Sequence, residues 1–515
     1  MLPDREAHMT ILPARRNMRS SRTGVTKLAL SLLSVALLAG CVVGPDYEQP
    51  RFALPTHWGS KEEQKPARPP ELSQWWRQFR DPLLDTLIAE AVEGNLDVAL
   101  AKAKIREARA TYREQQGTLL PSVDGSASAT RTRSTSSVAG SEPSVYNQYQ
   151  GGFDASWELD LFGGNRRGLE AARYGAEAAE EELRDTLVTL VGDVTSYYIQ
   201  AREYQSLLAL ARRSAASQRE TAKLTREQLA AGEATGVDDA KADAQATSTE
   251  ADIPTYQISY AQTVHRLSIL IGQPPAALEG RLKKGGAVPL PKSPVAAGIP
   301  ADLLVNRPDV RLAERQLAQS TAKIGQAEAN RYPSISLTGD TATSALSTSD
   351  LGKKSSIGWS FGPTLTVPIF NGGQLKATVD VAKAQRDQYY AAYQAAVLSA
   401  MEDVENAIVS LSQTRARYAK LTSSTASYRR AAELSRTLNE AGAVDFLDVL
   451  DAERSLYTAE EALIRSRADI AIYFIALNKA LGGGWDGGIE VSKPAVVDVN
   501  TGPHLARATG QSSGS

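Results

Sequence analysis

From Gln374 to Ala441 the chain runs 68 residues without a glycine or a proline. These are the residues that most disfavour a helix interior, by about 1 and about 3 kcal/mol. The segment therefore predicts one unbroken helix of about 100 Å at 1.5 Å per residue, far beyond an ordinary globular helix. Arg166 to Ala231 is a second such stretch, free of proline and with glycine only at 168, 175 and 192. Each ends at Ala-Gly, Ala231-Gly232 and Ala441-Gly442, before a returning helix. The second return carries Val449, Leu456, Leu463, Ile470 and Leu477 at seven-residue spacing, with Leu450, Tyr457 and Ile464 beside them. That wide apolar seam suits left-handed pairing with neighbours on both sides, as in a closed ring. The first return contains Pro254, which should kink it.

The chain is a duplication. Asp97 and Pro121-Ser122-Val123 recur as Asp309 and Pro333-Ser334-Ile335 at an offset of 212, and Leu161-Phe162 as Ile369-Phe370 at 208. Ala231-Gly232 and Leu270-Ile271-Gly272 recur at 210 as Ala441-Gly442 and Ala480-Leu481-Gly482. This divides the chain into a first repeat, 81–273, a Pro-rich joint, 274–300, a second repeat, 301–482, and a tail, 483–515.

Each repeat also holds two strands. Ile357, Trp359, Phe361, Leu365, Val367 and Ile369 alternate with Gly358, Ser360, Gly362, Thr364, Thr366 and Pro368. Phe153, Ala155, Trp157, Leu159 and Leu161 do so against Asp154, Ser156, Glu158 and Asp160. The expected strands are 121–133, 149–162, 333–344 and 357–370, with Ser- and Gly-rich hairpin loops at 134–148 and 345–356. Such faces fit lipid on one side and water on the other. Four strands cannot close, because a membrane barrel needs about eight before no edge is left in lipid. The chain must therefore oligomerise.

The N-terminus gives the compartment. Arg15, Arg16, Arg19, Arg22 and Lys27 precede an apolar run from Leu28 to Leu38, too short for a membrane span, which ends in Leu38-Ala39-Gly40-Cys41. Residues 1–40 read as a lipoprotein export signal, for which Met18 is a more ordinary start than Met1. Cys41, the one cysteine of the chain, is the expected acyl acceptor, and Val42 after it fits outer-membrane sorting. A net charge of −2 argues against nucleic acid, and four scattered histidines argue against a metal site. No cofactor is expected beyond the covalent lipid on Cys41.

These residues lead to a resemblance. Cys41-Val-Val-Gly-Pro-Asp-Tyr-Glu-Gln-Pro50, Trp75-Trp76 with Phe79 and Asp81-Pro82, Asn306-Arg-Pro-Asp-Val-Arg311, Pro333-Ser-Ile-Ser-Leu337 and Asp448-Val-Leu-Asp-Ala452 stand in one order along the chain. Together they closely resemble the lipoprotein (NodT-type) branch of the TolC-like outer-membrane factors, the exit ducts of tripartite drug-efflux systems. The resemblance implies an α+β membrane protein. Its homotrimer would combine a twelve-stranded outer-membrane β-barrel with a twelve-helix periplasmic α-barrel and an equatorial belt that includes residues 41–80 and the helices near Pro82 and Asp302. It implies a periplasmic adaptor and an inner-membrane pump, of the resistance-nodulation-division type, as partners. Two other readings are a duct for type I protein secretion and a periplasmic coiled-coil lipoprotein that forms no channel.

Two catalytic motifs are set aside. Gly358-Trp-Ser-Phe-Gly362 has the nucleophile-elbow pattern, but Ser360 falls mid-strand. Gly482-Gly-Gly-Trp-Asp-Gly487 follows a helix rather than a strand. The more informative segment is the second turn. Asp445 is a plausible N-cap and Asp448 sits at N3, whereas Asp451 lies too far in for capping. The resemblance implies that Asp448 and Asp451 line the narrow periplasmic end of the duct and that Leu447 adds an apolar constriction, while Arg454, one turn beyond Asp451, is spaced to be its partner. Gly232, Thr235, Gly236, Gly442 and Asp445 are the expected adaptor-contacting turns. Asp238 and Lys241 are the first-repeat counterparts of Asp448 and Asp451, so the two tips have diverged.

Overall fold

A computed structural model describes residues 42–52, 72–134, 144–291, 304 and 306–496. The signal segment, Cys41, residues 53–71, 135–143, the last third of the Pro-rich joint (292–300), Asp302 and the tail from 497 lie outside the described residues. The chain divides into two compact units. One holds the N-terminal residues through Gly44, Thr118–Arg167 and Gly325–Lys376, and the other holds the remainder.

The first unit is a four-stranded antiparallel sheet in the order β1 (Ser122–Ser134), β2 (Ser144–Leu159), β3 (Ser334–Ala345), β4 (Ile357–Thr366). Alternation sends Val123, Phe153, Trp157, Leu337, Trp359, Phe361 and Leu365 to one face. That face is bare: Trp359 is 78% exposed, Phe361 68% and Phe153 63%. Glycines sit opposite the two phenylalanines, Gly125 across from Phe153 and Gly339 across from Phe361. A Cβ on Gly125 would stand 3.3 Å from the Phe153 ring, and one on Gly339 3.2 Å from the Phe361 ring. The rings cover what the glycines leave open.

Three strand limits differ from expectation. β2 begins at Ser144 rather than 149, because pairing with β1 carries on through Thr132–Tyr146 and Arg133–Val145, a stretch with no apolar alternation to reveal it. β2 stops at Leu159, before 162, where the Asp160 carboxylate accepts from the Asn165 and Arg166 amides. β4 stops at Thr366, before 370, as Pro368 has no N–H for the ladder. Among the described residues β1 and β4 each have one unpaired edge. The first described residues are tied to this unit: the Val43 amide donates to Phe162 O at 3.1 Å, and the Arg167 guanidinium donates to the carbonyls of Val43 and Gly44.

The second unit is helical. Its elements are α1 (Pro82–Gly94), α2 (Leu96–Gly117), α3 (Gly164–Ala231), α4 (Gly236–Leu270), α5 (Pro308–Ala329), α6 (Gln374–Glu440) and α7 (Phe446–Ala480), besides single-turn pieces. The start of α3, the end of α5 and the start of α6 belong to the sheet unit. α3 has 68 residues and α6 67. α4 continues as helix through Pro254. Among the described residues no helix is long and apolar enough to cross a membrane.

The core of this unit is where the shorter helices pack on the long ones. Trp75, Trp76 and Phe79 are buried, with Trp75 edge-on to Phe474 and Trp76 stacked on Trp485. Asp81 caps α1 by accepting from the Leu83 amide, and its other carboxylate oxygen takes the Tyr198 hydroxyl from α3. Asn95 Oδ1 accepts from the Asp97 and Val98 amides at the start of α2, while its Nδ2 donates to Leu270 O. In that way one buried side chain joins the start of α2 to the end of α4.

Candidate pore constriction at the helix turns

The two turns share a backbone and differ in side-chain use. After α3, Gly232 takes a φ of +79°, and the amides of Gly232 and Glu233 close on the carbonyls of Leu229 and Gln228 at 3.0 and 2.8 Å. After α6, Gly442 takes +70°, and Gly442 and Ala443 close on Asn439 and Leu438 at 2.9 and 2.8 Å. Glycine is used because this left-handed position strains any residue with a Cβ.

Beyond the glycines the repeats part. In the first turn Thr235 and Asp238 form a complete capping box: Thr235 Oγ1 accepts from the Asp238 amide, and Asp238 Oδ2 accepts from the Thr235 amide at 3.0 Å. The Thr235 hydroxyl also donates to Asp238 Oδ2 at 2.7 Å, and that bond, followed by the one from the Thr235 amide, holds the Asp238 carboxyl below its usual range. In the second turn Asp445 occupies the N-cap, but its side chain makes no cap bond. Among the described residues the exposed Asp448 carboxylate has no hydrogen bond or ion pair. The capping expected of Asp445 is thus backbone only, and Asp448, the positional equal of Asp238, does not share its task.

Leu447, Asp451 and Arg454 line one open cavity of about 480 Å³ with Leu450 and, from α4, Lys241, Ala244 and Gln245. Arg454 Nη2 donates to Asp451 Oδ1 at 2.6 Å, between side chains that are each 65% exposed. Asp448 is not among the lining residues. The four expected constriction residues are therefore split, three in the cavity and Asp448 beside it, because positions 447, 450, 451 and 454 share a helix face from which 448 is turned by about 100°. Lys241 enters the same cavity as its repeat counterpart Asp451. Gly232, Thr235, Gly236, Gly442 and Asp445 are all exposed.

Above the turns the duplication is written in ion pairs, which no local pattern reveals. Arg219 grips Glu250 through two bonds of 2.6 Å, and the same positions 210 residues on, Arg429 and Glu460, are also paired. Arg226 approaches Asp243 at 3.8 Å, and Arg436 meets Glu453 at 2.6 Å, again 210 apart. The returning helices are joined by two rungs: Tyr457 donates to Asp252 at 2.9 Å, and Tyr256 donates to Glu461 at 3.0 Å. Burial is the largest influence raising both phenols, and the carboxylate partners add to it. Next along α7, Arg465 binds Glu461 at 2.7 Å and stands 3.6 Å from Glu203 of α3. Glu203 is nonetheless pushed up to about 7, since desolvation outweighs Arg465 while Asp469 repels its charge.

In the sheet unit, the face opposite the apolar one carries a row the sequence did not announce. Asp124 pairs in register with Asp154, Asp154 with Asp340, and Asp340 with Ser360, whose hydroxyl donates to it. Ser360 is thus mid-strand, with strand on both sides of it rather than a strand-to-helix turn. Gly482 has a φ of +75°, and it and Gly483 close α7 on Lys479 and Asn478, a helix stop rather than a phosphate loop.

Residues 87–273 and 299–483 match the family described as outer membrane efflux protein. Nodulation protein T of Rhizobium leguminosarum bv. trifolii is 35% identical over 454 residues, 87% of this chain and 96% of that protein. The solvent efflux pump outer membrane protein SrpC of Pseudomonas putida is 32% identical over 471 residues, 89% and 98% of the two chains. Among solved structures, the outer-membrane channel OprN superposes with a TM-score of 0.80 at 33% identity, covering 86% of this chain and all of that one. The open state of the Neisseria gonorrhoeae MtrE outer membrane channel gives 0.75 at 31%, covering 86% and 98%.

Proposed function

The chain belongs to the outer membrane efflux protein family, and on that premise we propose that it is the outer-membrane exit duct of a tripartite efflux system. It conducts small molecules passively from an inner-membrane pump through a periplasmic adaptor to the outside. The observation that carries this reading is the four-stranded sheet, with one face of exposed Phe, Trp and Leu, the other of Ser, Thr, Gly and Asp, and both edges unpaired among the described residues. Exposed apolar patches of that kind need lipid or a partner, and open edges do not persist in hydrocarbon. Three copies close the edges into a twelve-stranded barrel, and the long helices form a twelve-helix tube in the periplasm. The lipid on Cys41 anchors the assembly, with Val43 and Gly44 tied beside the end of β2.

The periplasmic end narrows at Leu447, Asp448, Asp451 and Arg454. Asp448 contributes an uncompensated charge, while Asp451 is offset by Arg454. The turns at Gly232, Thr235, Gly236, Gly442 and Asp445 are the contact surface for the adaptor. The free state of Asp448 favours pore lining over capping. Single-channel recording in planar bilayers tests both parts. The wild type should form cation-preferring channels, and Asp448→Ala should lower cation selectivity and divalent block more than Asp451→Ala, with Asp238→Ala unchanged. A protein that inserts no channels overturns the duct, and wild-type selectivity in Asp448→Ala with Asp451→Ala moves the constriction elsewhere.

A further inference from the structure

We propose that the outer end of the sheet is a docking surface for a phosphate-bearing glycolipid of the outer leaflet, built around Arg131 and Arg133 of β1. The proposal rests on the barrel reading above. Alternation puts both arginines on the face of Val123, Gly125 and Ala129, not on that of Asp124 and Thr130. The Phe153 ring over Gly125 fixes that face as the apolar one.

Both side chains are exposed, and neither has a hydrogen bond or ion pair among the described residues. Across the ladder they meet Asn147 and Val145, so no carboxylate stands opposite. An arginine on the lipid face is tolerated only near its margin. Arg131 lies nine residues from the start of β1, about 30 Å along the strand at 3.3 Å per residue. Both hairpins turn at this end, whereas α2, α3, α5 and α6 join the sheet at the other, so with those helices in the periplasm this margin faces outward. Lys353 and Lys354 extend it through the β3–β4 connection, where Asp350, paired with Lys353 at 2.5 Å, is the acid among the described residues.

A guanidinium fork matches two phosphate oxygens at once, and lipid phosphates lie at the hydrocarbon margin, the depth these outward side chains reach. Charge also selects the side, since the opposite face carries the row of Asp124, Asp154 and Asp340 and repels anions.

Purified full-length trimer, melted in micelles, tests the proposal. Lipid A bearing both phosphates should raise the melting temperature by several degrees, and neither dephosphorylated lipid A nor inorganic phosphate should do so. Arg131→Gln with Arg133→Gln should weaken the response about 30-fold in lipid concentration. Arg131→Lys with Arg133→Lys should restore part of it, and Thr132→Gln on the other face should respond as wild type. A glutamine double variant that responds like wild type, or an equal effect of inorganic phosphate, overturns the proposal. Channel conductance of the same preparations separates this failure from failure of the barrel, which would abolish conductance in the wild type.

Discussion

Phe361 is the sharpest place to test which face of the sheet meets lipid. It is the fifth of the ten residues of β4, a strand of about 33 Å that rises about 25 Å when tilted by about 40°, so in the proposed barrel it lies near mid-membrane. Its side chain is 68% exposed on the apolar face. An arginine there costs roughly 2 to 4 kcal/mol in each protomer, or roughly 6 to 12 kcal/mol for a trimer. That is comparable with the whole stability of an ordinary domain. Phe361→Arg should therefore abolish heat-resistant trimer in outer-membrane fractions. Leu365→Arg, nearer the strand end, should reduce trimer less, as the cost falls to about 0 to 1 kcal/mol at the interface. Phe361→Ala removes the ring over Gly339 without adding charge, separating lost packing from buried charge, and Thr364→Arg, on the opposite face, should assemble. Equal trimer yield from Phe361→Arg and Thr364→Arg would refute the orientation.

Three further outcomes are expected. Glu203, raised to about 7 in the fold from 4.5, binds more protons folded than unfolded between those values. Its contribution to stability therefore falls as pH rises through that window and is flat above it. Glu203→Gln should raise the melting temperature at pH 8, by at most about 3 kcal/mol of stability, and leave it unchanged below pH 4; a gain independent of pH would contradict this. Thr235→Ala should cost about 0.5 to 2 kcal/mol by breaking the capping box, while Asp448→Ala should cost nothing measurable, and equal melting losses would mean that Asp448 has a structural role. Cys41→Ser, exported through a cleavable signal, should still reach the outer membrane as trimer, and loss of all membrane association would mean that the strands do not insert.

The parts of the fold legible in the sequence are those set by a local period. The Gly- and Pro-free run gave α6 almost to the residue, and the alternation from Ile357 gave β4 until Pro368 intervened. The start of β2 was illegible because Val145, Tyr146, Asn147 and Gln148 carry no alternation and are held by their partners in β1. The turn glycines were visible through their repeat, and the Asp451–Arg454 pair through its spacing. That Asp448 is unused while Asp238 caps required the bonds themselves, since both sit at the same place in their helices. The Arg219–Glu250 and Arg429–Glu460 pairs join residues 31 apart in antiparallel helices, a register no single-helix pattern encodes. The carboxylate row of Asp124, Asp154 and Asp340 was hidden because neither local spacing nor the repeat offset aligns its members.

The two tyrosine rungs between α4 and α7 join residue i to residue i+205, while the duplication relates i to i+210. The tyrosine is on α7 in one rung and on α4 in the other, so the reach of the side chain cancels. The five-residue difference is then an axial stagger, about 7.5 Å at 1.5 Å per residue. The turn at Gly232 consequently projects past the turn at Gly442. In the proposed trimer the rim would then be a crown with three long points and three short ones rather than six equal teeth. Anything seated on its rim meets two kinds of notch, told apart by height before any side chain is read.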